Sequence, residues 1–301
     1  MIRVALCVDL SSTQKERLCA GLEDAELVDG DDLSGCDVAF GNPDADALIG
    51  AESLCWIQLE SVGFGEYADL DWGRLSQRLS LTNLAGFFAD PVAETALAGL
   101  LGLARGVNDL LLLQTTRTWE GDPIRTRLRS LSGSNVVMVG FGAINQRLAA
   151  LLAPFNCQIT PIRSTTPLEM MDSALLTADI VVCTAPDTPA TRRMFDAKRL
   201  ALLPNHAVFV NLGRGSIVDE VELAKALNTG QIGGAVLDVT EDEPLPAEHP
   251  FWNCPNTILT QHSGGGTADE LDKKIDVFLA NFARFSNGEP LEGIVNIKRG
   301  Y

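Results

Sequence analysis

The chain has 301 residues, 46% apolar and 21% charged, with 40 acidic side chains against 23 Lys and Arg. Its length predicts two domains of roughly 100–200 residues, and its apolar content excludes a wholly disordered chain. The net charge of −17 excludes nucleic acid and anionic membrane surfaces as main partners, because phosphates attract basic surfaces. The charge is uneven: residues 1–100 carry 18 acidic and 5 basic groups, residues 101–301 carry 22 and 18. Only the second part is neutral enough to hold an anionic cofactor easily. The seven cysteines include no Cys-x-x-Cys pair, so no disulfide framework and no metal site is expected. The apolar opening meets Asp9 too early for a signal peptide, and the apolar stretch Ala96–Leu113 is broken by Arg105 and Asp109. We read a cytoplasmic protein.

In chain order, short β-branched runs predict strands at Val4–Val8, Val38–Phe40, Leu54–Leu59, Val136–Val139, Gln158–Ile162, Ile180–Cys183, Ala207–Asn211, Gly234–Asp238 and Thr257–Thr260. A long apolar helix begins near Ala89–Pro91, and helical periods cover Ile144–Leu152, Glu220–Leu227 and Ala268–Phe285. Strands alternating with helices predict an α/β protein with parallel sheets covered on both faces. The layout is an acidic domain at 1–92, a dinucleotide-binding domain at 93–275, and a tail at 276–301 that returns to the first.

The first motif follows the strand at Val136: Gly140, Phe141 and Gly142 form a Gly-x-Gly turn, and Ala143 and Ile144 open a helix. The first glycine makes the tight turn and the second lets backbone approach a pyrophosphate, which sits on the helix amides. Asn145 stands where the third glycine is usual, which puts close helix–strand packing in question and leaves the anion site. An acid about 20 residues past the turn would bind the ribose hydroxyl of NAD. Here Arg163, 23 positions beyond Gly140, ends the next strand and is followed by Ser164 and Thr165. A guanidinium beside hydroxyls suits a 2′-phosphate, so NADP is expected over NAD.

Three later strand ends carry chemical groups. Ala207–Asn211 runs into Leu212, Gly213, Arg214 and Gly215; Gly234–Asp238 runs into Glu241, Asp242, Glu243 and Pro244; Thr257–Thr260 runs into His262, Gly264 and Gly265. In open α/β sheets ligands bind outside these carboxyl ends, so a guanidinium, a carboxylate and an imidazole converge on one crevice. The other two histidines, His206 and His249, lie in turn-like sequence and read as exposed loop residues.

These segments resemble the signatures of the D-isomer-specific 2-hydroxyacid dehydrogenases: NLGRGSIVD from Asn211, LDVTEDEPLP from Leu237 and LTQHSGG from Leu259. Further matches are Pro91–Glu94 and Ala185–Thr191. The resemblance implies two Rossmann-like domains, a doubly wound dinucleotide-binding domain and a smaller flavodoxin-like substrate domain. It implies reduction of a small 2-keto acid, glyoxylate or hydroxypyruvate among them, to the D-2-hydroxy acid by NADPH, and a homodimer formed through the nucleotide domain.

By the same resemblance, Arg214 binds the substrate carboxylate and keto oxygen. His262 protonates the carbonyl oxygen as hydride arrives at carbon, and Glu243 pairs with His262 to favour its charged form. Asp238 meets the nicotinamide carboxamide. Pro186, Leu212, Gly213, Arg214, His262, Gly264 and Gly265 line the cofactor with Gly140, Gly142, Ala143 and Ile144. In the first domain, the amides of Val62 and Gly63 bind the substrate carboxylate. Two departures stand out. Gly65 replaces a frequent Asp, which leaves that loop's anchoring open, and Gln261 replaces a Pro, where an extended backbone is expected.

Two other readings compete. One is a non-catalytic dinucleotide-sensing scaffold, which has no need of Arg214, Glu243 and His262 together. The other is a dehydrogenase of the same fold acting on formate or phosphite. Trp56, Phe64, Tyr67, Phe87, Phe88 and Trp119 are candidate pocket aromatics or ordinary core residues, and the arginines at 117–129 read as a solvated loop.

Overall fold

A computed structural model describes residues 1–297. The chain divides into two units, Met1–Phe87 with the segment from Thr267 onward, and Phe88–Gly266. Residues 298–301 of the expected C-terminal tail lie outside the described residues.

The first unit holds a five-stranded parallel sheet of β1 (Ile2–Cys7), β2 (Ala25–Asp29), β3 (Val38–Gly41), β4 (Trp56–Gln58) and β5 (Ser80–Thr82), in the order β2-β1-β3-β4-β5. This is the flavodoxin-like order. Alternate residues enter opposite faces: Val4, Leu6, Val38, Phe40 and Trp56 pack with one apolar cluster, and Ala5, Ala39 and Ile57 with another. The helix Glu270–Ser286 closes the first face, its Phe278 stacked between Phe40 at 4.4 Å and Trp56 at 5.4 Å between centroids. Buried polar groups fix its register: Trp56 Nε1 donates to Thr82 Oγ1 at 2.8 Å, and Asn281 Nδ2 to Gln58 Oε1 at 2.9 Å. Trp56 and Tyr67 are therefore core residues, not pocket residues.

The second unit holds six parallel strands: β6 (Asn135–Val139), β7 (Gln158–Ile162), β8 (Ile180–Cys183), β9 (Val208–Asn211), β10 (Gly234–Leu237) and β11 (Thr257–Leu259). Their order is β11-β10-β9-β8-β6-β7. Both faces are covered, so the strands read as unbroken apolar runs. Val137, Val139, Val181, Phe209 and Leu237 face one cluster; Val136, Met138, Val182, Val210 and Val236 face the other. The chain steps from β6 outward to β7 and then back across β6 to β8. That reversal leaves a crevice outside the carboxyl ends of β6 and β8, where ligands of such sheets bind.

Sequence reading missed β2 and β5. β2 is a half-exposed edge strand with acidic residues, and β5 is three residues long, so neither carries a strong apolar run. Among the described residues no single helix is long and apolar enough to cross a membrane. Ala89–Ala104 and Val107–Thr115 reach that length only as a pair bent by 68°. The first of them buries Ala93, Ala96 and Leu100 in the second unit's core.

Candidate active site

The turn after β6 is built for close approach of backbone. Gly140 has φ +81°, and a Cβ there would lie 2.8 Å from the Ala185 amide nitrogen, so only glycine fits. Its carbonyl accepts from Thr184 Oγ1 and from Asn145 Nδ2, both at 2.8 Å. Asn145 is fully buried, and its amide also reaches the Val139 and Val182 carbonyls at 3.5 and 3.4 Å. The residue that replaces the third glycine thus does not push helix and strand apart; its side chain bonds them together. Gly142 is the N-cap of the helix Ala143–Leu152, with no side chain to bond the first-turn amides, and a Cβ on it would meet nothing within 4 Å. The amides opened by Gly142, Ala143 and Ile144 are therefore free to take an anion.

At the end of β7, Arg163 is exposed and lies with its guanidinium carbon 4.9 Å from the centre of the Phe141 ring. Its Nη1 donates to the Phe141 carbonyl at 3.3 Å. Its amide is held by Thr166 Oγ1 at 3.0 Å, which leaves exposed Ser164 and Thr165 at the tip of the turn. Arg163 thus lies beside the Gly-x-Gly turn, where a cation and the open amides of a helix N-terminus come together. These residues fit an anionic dinucleotide. Pro186 is exposed after β8, its carbonyl taken by Thr191 Oγ1 at 2.6 Å.

The three chemical groups stand at the ends of β9, β10 and β11. Asn211, fully buried, folds the turn after β9: its Oδ1 accepts from the Gly213 amide at 3.2 Å and its Nδ2 donates to the Arg214 carbonyl at 3.0 Å. Arg214 therefore projects into solvent, with Nη1 donating to the Gly213 carbonyl at 2.7 Å. Leu212 takes its side chain into the core, so only its backbone faces the crevice. Gly215 sits against the loop after β10: a Cβ there would lie 2.0 Å from the Thr240 carbonyl carbon.

In that loop, Glu243 Oε1 accepts from the Thr240 amide at 3.0 Å, and Oε2 lies 2.6 Å from His262 Nδ1. Burial pushes the Glu243 carboxyl up, but the bonds from His262 and Thr240, with the charges of His262 and Arg214 nearby, outweigh it and hold the group below the ordinary carboxylate range. Asp238 is nearly buried, and its Oδ1 accepts both Thr260 Oγ1 at 2.6 Å and the Gly264 amide at 3.0 Å. Asp238 thereby pins the loop that carries His262, while its Oδ2 makes no hydrogen bond among the described residues. Gly264 and Gly265 continue that loop, with the Gly264 carbonyl held by Thr95 Oγ1 at 3.1 Å.

One local expectation is overturned. Gln261 is not extended: Gln261 and His262 have φ +54° and +53°, and the Ser263 amide closes the turn on the Thr260 carbonyl at 3.1 Å. Two successive left-handed residues make a turn that proline, locked near −65°, cannot enter. The histidine is aimed by turn geometry, not by a continuing strand.

Elsewhere, Val62 and Gly63 are exposed in the first unit, where Asn83 Nδ2 and Ser61 Oγ bond their carbonyls at 2.8 and 2.7 Å. Their amides make no hydrogen bond among the described residues. Anchoring comes from those two polar side chains and from buried Phe64 and Tyr67, whose hydroxyl donates to the Pro43 carbonyl at 2.7 Å. Gly65 costs the loop little. Neither remaining histidine is a free loop residue. His206 Nε2 lies 2.7 Å from Asp179 at the opposite, amino-terminal edge of the second sheet, beside a cavity of about 550 Å3. His249 is paired with Glu220. Thr184, Asn211 and Thr260, each a polar residue ending an apolar strand, position the site; that contrast was the signal available for them.

A family model for the D-isomer specific 2-hydroxyacid dehydrogenase, NAD binding domain, matches residues 97–264. A glyoxylate reductase of Thermofilum pendens is 29% identical over 267 residues, 84% of this chain and 78% of its own length. A D-isomer specific 2-hydroxyacid dehydrogenase family protein from Aeromonas salmonicida superposes with TM-score 0.84 at 27% identity, covering 98% of this chain and 99% of its own. A D-isomer specific 2-hydroxyacid dehydrogenase from Xanthobacter autotrophicus, solved with NADPH and MES, gives 0.83 at 26%, covering 99% of each chain. The match spans more than half of the sequence and includes β6 to β11, with the Gly140 turn, Arg214, Glu243 and His262, so the chain belongs to the D-isomer specific 2-hydroxyacid dehydrogenase family.

Proposed function

We propose that this enzyme uses NADPH to reduce a small 2-keto acid, hydroxypyruvate to its D-2-hydroxy acid or glyoxylate to the achiral hydroxy acid among the candidates. The observation that carries this reading is the meeting of Arg214 with the His262–Glu243 pair at the ends of three neighbouring strands. A reduced nicotinamide, when bound, supplies hydride to the keto carbon. The residues of the chain do the remaining work. The Arg214 guanidinium takes the carboxylate and the keto oxygen, and draws electron density away from the carbon under attack. His262 Nε2 delivers a proton to that oxygen, while Glu243 on Nδ1 fixes the ring's orientation.

The NADPH preference is supported by Arg163, by Ser164 and Thr165 beside it, and by the NADPH bound to the Xanthobacter relative. Arg163→Ala should raise KM for NADPH roughly tenfold or more, as expected for the loss of a charge-assisted bond, and leave KM for NADH unchanged. Equal losses with both cofactors would remove Arg163 from 2′-phosphate recognition. The activity itself is tested by the product: hydroxypyruvate should give the D-hydroxy acid, one per NADPH oxidised. The L-isomer would defeat the assignment, as would no product from any 2-keto acid.

A homodimer is supported by the helix Val107–Thr115, which buries none of its residues and exposes Leu110, Leu111 and Leu112. Leu112→Glu should convert a dimer into a monomer in sedimentation. A native protein that already sediments as a monomer would contradict this assembly.

A further inference from the structure

The loop of residues 240–243, which carries Glu243, is held from behind by two side chains that the reaction does not use. Glu220 is the first residue of the helix Glu220–Asn228, and its side chain is only 10% exposed. Its Oε1 accepts from the Glu241 amide at 2.8 Å, and its Oε2 lies 3.3 Å from His249 Nε2. His249 Nδ1 accepts from the Phe251 amide at 3.3 Å, so its ring proton sits on Nε2 and points at Glu220. The ring is itself wedged edge-on against buried Phe251, with 4.7 Å between centroids.

Burying an acid here is unfavourable. Burial pushes the Glu220 carboxyl up, and the charges of Glu241 and Asp242 add to that, against the Glu241 amide and His249. A carboxylate facing two others is a poor choice for packing alone. What it gains is a fixed Glu241 peptide, two residues from the carboxylate that meets His262. Gly215 packs against the same peptide, where a Cβ would lie 2.2 Å from the Glu241 amide nitrogen. Sequence separation hides this support, because His249 and Glu220 stand 29 positions apart.

We propose that Glu220, backed by His249, is a positioning residue for the acid pair: it clamps the Glu241 amide and so sets Glu243 against His262. The inference rests on the reading of His262 and Glu243 as the proton-donating pair. Removing the clamp lets the loop drift and weakens the Glu243 bond to His262 Nδ1.

Glu220→Ala and Glu220→Gln test it, with His262→Ala as reference. In Glu220→Ala, kcat should fall about tenfold, the worth of one good hydrogen bond. KM for NADPH should stay unchanged, and the alkaline limb of the pH profile should move to lower pH. The Glu241 amide should exchange with solvent faster. Glu220→Gln keeps an oxygen for that amide, though it weakens the His249 side, and should recover to within about threefold of wild type. If Glu220→Ala lowers only the melting temperature and leaves kcat and the pH profile as in wild type, the proposal is overturned. Should Glu220→Ala fail to fold, His249→Ala replaces it, and unchanged Glu241 exchange in that variant overturns the proposal equally. The two readings separate cleanly: a His262→Ala protein with wild-type kcat defeats the acid pair, whereas an inactive His262→Ala beside a fully active Glu220→Ala defeats only the clamp.

Discussion

In the His262→Ala variant, kcat for reduction of a 2-keto acid should fall roughly 100- to 10,000-fold, the range of a lost general acid. NADPH binding should be nearly intact, because the pyrophosphate cradle at Gly140 and Gly142 and the cation at Arg163 lie at the ends of β6 and β7, away from the β11 turn. The wild-type rate should also fall as pH rises, since the imidazolium then loses the proton it must donate. Glu243 acts in the opposite direction. Its folded-state titration is depressed by the bonds from His262 and Thr240, so the carboxylate persists as pH falls below the ordinary carboxylate range. Whatever stability the pair adds is present above the unfolded value and lost only as pH falls through the lowered folded one. Between neutral pH and about 5 the reductive rate should therefore hold or rise on acidification. A flat profile across the alkaline range, or a His262→Ala enzyme within a few-fold of wild type, would remove the histidine from proton transfer.

Arg214→Ala should cost roughly 100- to 1,000-fold in kcat/KM for the keto acid, from two charge-assisted bonds at about 1.5–3 kcal/mol each, partly replaced by water. Arg214→Lys should recover only part of the loss, because an ammonium presents one charge where the guanidinium presents a planar fork. Substrate choice sharpens the test. With an aldehyde that lacks the carboxylate, the loss in Arg214→Ala should shrink to what the bond to the carbonyl oxygen is worth, roughly tenfold. If the aldehyde shows the same loss as the keto acid, Arg214 acts on something other than the carboxylate. The turn that carries Arg214 is fixed by a buried amide, through the Asn211 bonds to Gly213 and Arg214, and one guanidinium nitrogen rests on the Gly213 carbonyl.

Much of this site was legible in the sequence because its residues are local to strand ends. An apolar run that stops at Gly140, Arg163, Arg214, Asp238 or His262 marks both the element and its carboxyl end, and the parallel order of the sheet brings those ends to one edge. The double-sided burial of β6, β8, β9 and β10 made them unbroken apolar runs, which is why their limits were read to within a residue. Other features depend on partners far away in sequence. β2 and β5 are short edge strands whose identity comes from β1 and β4, not from their own residues. The left-handed pair Gln261–His262 has no glycine or asparagine to announce it; it is imposed by Asp238, which ties down Thr260 and Gly264 from 22 and 26 positions away. Asn145 looked like a defect in a glycine motif until its amide was placed between three carbonyls. The acidity of residues 1–100 points to no ligand, whereas the proposed binding of NADPH and of a keto acid rests on two placed cations, Arg163 and Arg214.

The central claim is that this chain reduces a 2-keto acid with NADPH through Arg214 and His262. The most direct measurement is a panel of initial rates: glyoxylate, hydroxypyruvate and larger 2-keto acids with NADPH and with NADH, beside formate and phosphite with the oxidised cofactors. The account predicts turnover of at least one 2-keto acid, faster with NADPH and abolished in His262→Ala, with formate and phosphite inert. Oxidation of formate or phosphite without any keto-acid reduction, or tight NADPH binding with no turnover at all, would contradict it.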